Sequence, residues 1–478
     1  MSIDRIKLEV RKDLEAAEDR MAALVGQRSI SEGNLGVDRC AAVLMEMHRD
    51  LGFDEVEVFQ GDGLPNVWAY ADAGTEETLA VYLMFDHAPP GKGWKRDPYG
   101  TEIDSVGPYP RAMFGQGIAT KGPYIALLSA IGTLKRVGIL PFNVACLMEG
   151  EEFVGSTHYR DMIEHYADRL DPCIGAIMPS AGQHGDGSVD ISLGSKGCAY
   201  FELVSRGKEG GRGPIASGVH SSAQGVVHSP VWRLVEALDS LVVPGSWGLE
   251  VAFEGFYDGA ALPVGSERDM ALEVFDHFRE DDLKLVLPGI AGRGAVAALL
   301  PDVTNEEVFL RLLYYPTFNI NGLRAGYTGP HSPLFTLPGE ARARLDMRFG
   351  KGQSGASLMR SLRDHLDQNG FEDIEIVNMG THDAASATAE DSIVAEARRT
   401  YDDLEIPVRA VWPIKPSGAP LGDFNTVLDA PALSGVGIGR VGSEDGQQYM
   451  VLEGDDSVAG LAESIEFFCR YLVNLGKD

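Results

Sequence analysis

Side chains able to move protons collect in three short segments, each placed where an apolar run gives way to a polar turn. Asp86-His87-Ala88-Pro89-Pro90 follows the continuous apolar run Leu79–Phe85. Gly115-Gln116-Gly117-Ile118-Ala119-Thr120-Lys121-Gly122 leads into the helical pattern Tyr124–Val137. Glu149-Gly150-Glu151-Glu152-Phe153-Val154-Gly155-Ser156 follows the apolar run Phe142–Met148. Carboxylates in such places serve as general acids or bases once burial or a neighbouring like charge raises their pKa. A Gly-rich turn before a helix can also cradle phosphate. Gly115–Gly122 lacks the spacing and the hydroxyl after lysine of G-x-x-x-x-G-K-[ST], so nucleotide binding is not expected.

The elements that must hold these segments alternate. Asp4–Leu24 and Val37–Leu51 carry apolar residues at helical spacing. Glu55–Phe59 and Val67–Tyr70 read as short strands, and Leu79–Phe85 as a strand buried on both faces of a parallel sheet. A helix (Tyr124–Val137), a strand (Phe142–Met148), a helix (Ser156–Asp168) and a strand (Ile174–Met178) follow. This order predicts an α/β fold, a doubly wound and mostly parallel sheet with helices on both faces, whose catalytic groups lie where strand C-termini meet loops. After about Ser195 the pattern changes. Strand Ala199–Ser205, helix Pro230–Leu241, a long polar and Gly-rich middle, strands Asn319–Leu323 and Ala341–Phe349, and helix Ser357–Gln368 suggest an inserted α+β domain. From about Ser386 the first pattern resumes, with helix Ile393–Leu404, strand region Pro431–Gly439 and closing helix Ser457–Leu475. The expected domains are 1–195, 196–385 and 386–478, the first and last forming one catalytic domain.

Composition narrows the function classes. The 478 residues are 44% hydrophobic and 23% charged, an ordinary globular balance. With 41 Lys and Arg against 71 Asp and Glu the net charge is −30, which repels nucleic acid and anionic membrane surfaces. The five cysteines (Cys40, Cys146, Cys173, Cys198, Cys469) never form C-x-x-C, which argues against a disulfide framework and a structural zinc knuckle. Met1–Glu18 shows no signal-peptide pattern, and no run is long enough to span a membrane. A cytoplasmic protein is expected.

Taken in order, these segments resemble the zinc-dependent peptidase and deacylase family of carnosinase-type dipeptidases, carboxypeptidase G and acetylornithine deacetylase. Gly93-Trp94, Asp97-Pro98-Tyr99, Val219-His220-Ser221, Pro316–Gly322, Gly326–Pro330 and Ala341–Arg348 extend the resemblance over nearly the whole chain. It implies a zinc-peptidase-like phosphorylase/hydrolase fold, interrupted by a ferredoxin-like lid that pairs two copies into an isologous homodimer. It gives Glu152 the place of the general base and His220 that of the lid histidine that steadies an oxyanion. Arg348 takes the place of the arginine that grips a substrate carboxylate with its planar fork. Ser417 and Gly418 fall in the loop that closes on substrate, Lys121 is placed by position among the substrate-binding residues, and Asp86 is a positional match for the aspartate that orients a ligand.

The metal ligands do not carry over. Met84 stands at the place of the first ligand histidine, Phe153 at that of a ligand glutamate and Ser180 at that of an aspartate. No Asp or Glu lies between Asp104 and Glu149 to bridge two ions, and no histidine follows His382. His87, His184 and Asp186 are the candidates for a rebuilt site, although three residues on separate loops are a thin ligand set for zinc. The expectation is therefore no cofactor. Phe153 beside Glu152, with no metal charge, should raise the pKa of that base. The function expected is action, without metal, on a C–N or activated bond of a small carboxylate-bearing, amino-acid-derived substrate. Elimination and acyl transfer stand beside hydrolysis as chemistries. A ligand-binding pseudoenzyme and a conventional zinc dipeptidase with displaced ligands are the alternatives.

Overall fold

The computed structural model describes residues 3–208, 211–216, 219–277, 298–299, 302–331 and 335–477. The chain divides into two compact units, one of Met1–Ser195, Val264–Phe309 and Ala385–Asp478, the other of Lys196–Pro263 and Leu310–Ala384. The expected insertion at 196–385 is corrected over Val264–Phe309, which counts with the first unit. Within that stretch Met270 packs against the first unit's core, and the Phe309 ring lies 5.9 Å from that of Trp412.

The first unit is built on a six-stranded sheet in the order Glu55–Phe59, Asn66–Ala71, Asn143–Glu149, Thr78–Met84, Cys173–Pro179, Ala432–Val436. Thr78–Met84 runs parallel to both its neighbours, and Ala432–Val436 is parallel to Cys173–Pro179. The two edge strands Glu55–Phe59 and Asn66–Ala71 are antiparallel. Alternation of side chains explains burial on both faces. Leu79, Val81 and Leu83 join one core with Val144, Cys146 and Met148, covered by the helices Ile3–Val25, Val37–Asp50, Ile118–Arg136, Ser392–Asp403 and Leu461–Leu475. Ala80, Tyr82, Ala145 and Leu147 face the opposite core, under Tyr159, Met162, Ile163 and Phe424. The doubly wound reading is thus observed.

Helix Ile118–Arg136 begins six residues before the expected Tyr124, inside the Gly-rich segment. Gly122 and Pro123 conceal its first turns in the sequence. It is buried along most of its length, as a helix apolar on all sides must be. A further four-stranded antiparallel sheet (Val441–Glu444, Gln447–Glu453, Tyr109–Phe114, Ile103–Val106) was not expected. Its outer strands are short and largely exposed, so their pattern resembles loop.

The second unit has the order strand Gly197–Arg206, helix Pro230–Ser240, strands Thr317–Ala325 and Glu340–Phe349, helix Gly355–Gln368, strand Glu375–His382. Its sheet is antiparallel throughout, with Glu340–Phe349 and Gly197–Arg206 central and Thr317–Ala325 and Glu375–His382 at the edges. That is the ferredoxin-like arrangement expected. Phe201, Leu203, Leu345 and Met347 pack with Leu234, Leu238, Leu358 and Leu362 on one face. Among the described residues no helix is long and apolar enough to cross a membrane.

Removing the fully buried Phe201 ring creates a cavity in this smaller core. Phe201→Ala is expected to lower stability by about 3–5 kcal/mol. Leu323→Ala, on the exposed edge strand, should change it by about 0.5 kcal/mol or less. Chemical denaturation followed by circular dichroism checks both.

Candidate active site

Met84 and Glu149 are register partners at the C-terminal ends of adjacent parallel strands, so the loops after them emerge side by side. Phe85 continues the ladder for one more bond, its amide donating to the Glu149 carbonyl at 2.9 Å. Asp86 then turns its buried carboxylate onto the neighbouring loop. Its Oδ1 accepts from the Glu152 amide at 3.2 Å and its Oδ2 from the Phe153 amide at 2.9 Å. These amides open the 3-10 turn Glu152–Val154 and have no carbonyl within the turn to bond. Asp86 thereby fixes the backbone that carries Glu152.

The three glutamates of this loop have different fates. Glu149 is fully buried; its Oε1 accepts from the Tyr82 hydroxyl at 2.5 Å, while Oε2 makes no hydrogen bond. Burial, reinforced by the nearby charges of Asp86 and Glu152, pushes its pKa well above the usual carboxylate range. Its environment thus favours the protonated form. Glu151 is also buried, and its Oε1 accepts from the His158 amide at 2.7 Å while Oε2 lies 3.1 Å from His158 Nδ1. It latches the loop to the helix that follows. Glu152 alone of the three is part-exposed. Gly150 permits this packing, because a Cβ there would stand 2.6 Å from Val37 Cγ1 and 2.8 Å from Phe85 Cζ.

Beneath the loops lies a polar shelf. Lys121 has no solvent access; its Nζ donates to Ser29 Oγ at 2.8 Å, and Ser29 in turn donates to the Phe85 carbonyl at 2.6 Å. Burial lowers the Lys121 pKa, opposed by the charge of Asp86. The expectation that Lys121 binds substrate is corrected, since the ammonium is sealed inside and braces the strand end. His87 is buried too. Its Nδ1 donates to the Ala88 carbonyl at 2.8 Å and its Nε2 accepts from the Ser29 amide at 3.4 Å. Both bonds belong to one neutral tautomer, and burial with the nearby Lys121 charge holds its pKa down at about 4.

The donor set does not fit a co-catalytic zinc pair. Met84 offers only a thioether, and Ser180, whose amide bonds the Val436 carbonyl at 2.8 Å, only a hydroxyl. Phe153 offers no donor and is 47% exposed. The rebuilt site is not assembled either. His87 has both ring nitrogens engaged, His184 Nε2 lies 3.3 Å from Asp190 Oδ2, and Asp186 accepts from Ser188 in its own turn. Among the described residues no group of three or more His, Cys, Asp or Glu side chains could hold a metal ion.

Ser417 is exposed and Gly418 lies against Ser195, where a Cβ would come 2.3 Å from the serine hydroxyl. His220 and Arg348 belong to the second unit. His220 is exposed, stacks on Phe335 at 5.2 Å, and accepts through Nδ1 from the Ser222 amide at 3.2 Å, leaving Nε2 as the proton donor. Arg348 Nη2 donates to the Tyr200 hydroxyl at 2.6 Å, and its Nε lies 3.4 Å from Asp346. The sequence reading missed the separate roles of Glu149, Glu151 and Tyr82. The signal available for Glu149 was a carboxylate closing an otherwise apolar strand.

A doubly wound α/β unit with carboxylates at its strand ends, joined to a ferredoxin-like unit, defines a hydrolase scaffold of the peptidase type. The chain is similar to M20 peptidases in part of its sequence and in its fold. Residues 194–374 match the model of the peptidase dimerisation domain. The chain is 24% identical to the human Beta-Ala-His dipeptidase over 329 residues, 66% of this chain and 59% of that one. Less than two thirds of that relative's length is therefore matched. Identity to the succinyl-diaminopimelate desuccinylase of Wolinella succinogenes is 27% over 162 residues, 33% of this chain and 42% of that one. The solved structure of an M20 family metallo-carboxypeptidase from Sulfolobus solfataricus superposes with a TM-score of 0.77 at 26% identity, covering 95% of this chain and 98% of that one. Human carnosine dipeptidase 1 shares the fold, with a TM-score of 0.70 at 19% identity and full coverage of both chains.

A buried acid gives a pH signature. Glu149 binds a proton in the folded protein at pH values where the unfolded chain has lost it, so its contribution to stability is complete below about pH 4.5 and declines as pH rises. Glu149→Gln keeps an acceptor for Tyr82 and cannot ionise. Above about pH 5 the variant should gain on the wild type by up to about 1.4 kcal/mol per pH unit until Glu149 itself ionises. Urea denaturation across that range checks this; a difference independent of pH would contradict it.

Proposed function

We propose that the chain is a hydrolase that cleaves, without metal, a C–N bond of a small, carboxylate-bearing, amino-acid-derived substrate. Glu152 is the general base, taking a proton from the attacking water and returning it to the departing amine. What carries this reading is the arrangement around Asp86. A buried carboxylate grips the two amides beside Glu152 and leaves that glutamate the part-exposed carboxylate of its loop. Asp86 is thus a positioning residue. His220 takes the role of a donor to the oxyanion and Arg348 that of a partner for the substrate carboxylate, as the family resemblance implies.

The relatives favour hydrolysis over elimination or acyl transfer, since the human match is a dipeptidase and the bacterial match a desuccinylase. The energetics favour an easier bond than an unactivated peptide. Without zinc-bound hydroxide at neutral pH, a lone carboxylate base supplies only about 10²–10⁴-fold. A homodimer formed through the second unit accords with the dimerisation-domain match.

A panel of N-acyl amino acids, β-alanyl and other dipeptides tests the proposal. Glu152→Gln should lower kcat by about 10²–10⁴-fold with little change in KM. Unchanged turnover in that variant removes Glu152 as the base, and absence of turnover on every compound favours a binding protein.

A further inference from the structure

Lys196 lies just before strand Gly197–Arg206, two residues from Cys198 and four from Tyr200, so all three face the same side of the second unit's sheet. Arg348 is the register partner of Cys198 on one side and His382 on the other. The core side chains Ala199, Phe201 and Met347 point the opposite way, toward the helices. The Lys196 side chain is almost fully buried. Its Nζ donates to the Leu312 carbonyl and the Tyr315 carbonyl, both at 2.7 Å.

Two acceptors satisfy two N–H bonds of the amine in either protonation state. The ammonium form carries a third proton, and among the described residues Lys196 has no third acceptor. The groups that face it are Arg348 and Asp346 on one neighbouring strand, His382 on the other, Cys198 and Tyr200 on its own, and Tyr314 and Tyr315 at the end of helix Asn305–Tyr314, with Arg311 over the Tyr315 ring. Asp346 is the carboxylate among these, and it already pairs with Arg348. We propose that Lys196 and Arg348 together form a carboxylate-binding site in which Lys196 is a positioning residue that takes up a proton when the anion arrives. The choice of a carboxylate as ligand rests on the function proposed above.

The electrostatics agree with this geometry. Burial and the Arg348 charge bring the Lys196 pKa down to about 7. A carboxylate on the Arg348 guanidinium would cancel that repulsion and supply the missing acceptor, so binding and protonation reinforce each other. Affinity should therefore fall as pH rises above about 7, where the empty site loses the Lys196 proton. A lysine that merely capped the helix end would leave affinity independent of pH.

Titration calorimetry of the full-length protein with succinate, at about pH 7.5 in two buffers of different ionisation enthalpy, reads the proton directly. The wild type should take up a fraction of a proton per succinate bound, and its affinity should fall by up to about tenfold per pH unit above neutrality. Lys196→Met should bind about tenfold more weakly with no proton uptake. Lys196→Arg, always charged, should bind without uptake and without the pH dependence, and Arg348→Met should not bind. Wild-type binding with no uptake, uptake that survives in Lys196→Met, or no saturable binding at millimolar succinate would overturn the proposal. Succinate binding with uptake, alongside no turnover on any panel compound, would remove the catalytic reading and leave this site standing.

Discussion

The candidate active site is organised by carboxyl groups gathered at two adjacent strand ends. Two like charges about 5 Å apart repel by about 3 kcal/mol at an effective dielectric near 20, and one proton removes that cost. Burial raises the Glu149 pKa, with the Tyr82 hydroxyl as its neighbour. Asp86 is stabilised differently, by two amide donors that would otherwise be unsatisfied. Glu152 is left with access to solvent. One loop thus holds an acid, an anchor and a candidate base, distinguished by environment alone.

The surrounding shelf makes that division stable. Lys121, Ser29 and His87 form a bonded layer under the loops, with both ring nitrogens of His87 and the Lys121 ammonium committed to protein partners. These groups brace the strand end and are not spare ligands. Glu151 and His158 do the same from the far end of the loop. Met84, Phe153 and Ser180 supply no imidazole or carboxylate donor.

Much of the fold was legible because buried strands leave continuous apolar runs, and Thr78–Met84 and Asn143–Glu149 lie within one residue of their expected bounds. The ferredoxin-like unit was legible from the order of its elements. Helix Ile118–Arg136 started earlier than read, since Gly122 and Pro123 break the local signal while tertiary burial overrides them. The sheet joining Tyr109–Phe114 to Gln447–Glu453 depends on partners more than 300 residues apart in sequence, which no local pattern reveals. At the site, side-chain type located the loop but not direction. That Glu149 points inward, Glu151 sideways and Lys121 into a sealed core depends on Phe85, Val37 and Ser29, contacts that the sequence does not list together.

Under the proposed function, the loop from Glu149 to Glu152 works without a bound metal ion. Zinc titration of the protein, followed by anomalous scattering at the zinc edge from crystals soaked in zinc, tests it most directly. The account predicts no bound zinc at Asp86, Glu149 or Glu152 and no change in activity on adding zinc or a chelator. Stoichiometric zinc density between the ends of strands Thr78–Met84 and Asn143–Glu149 would contradict it.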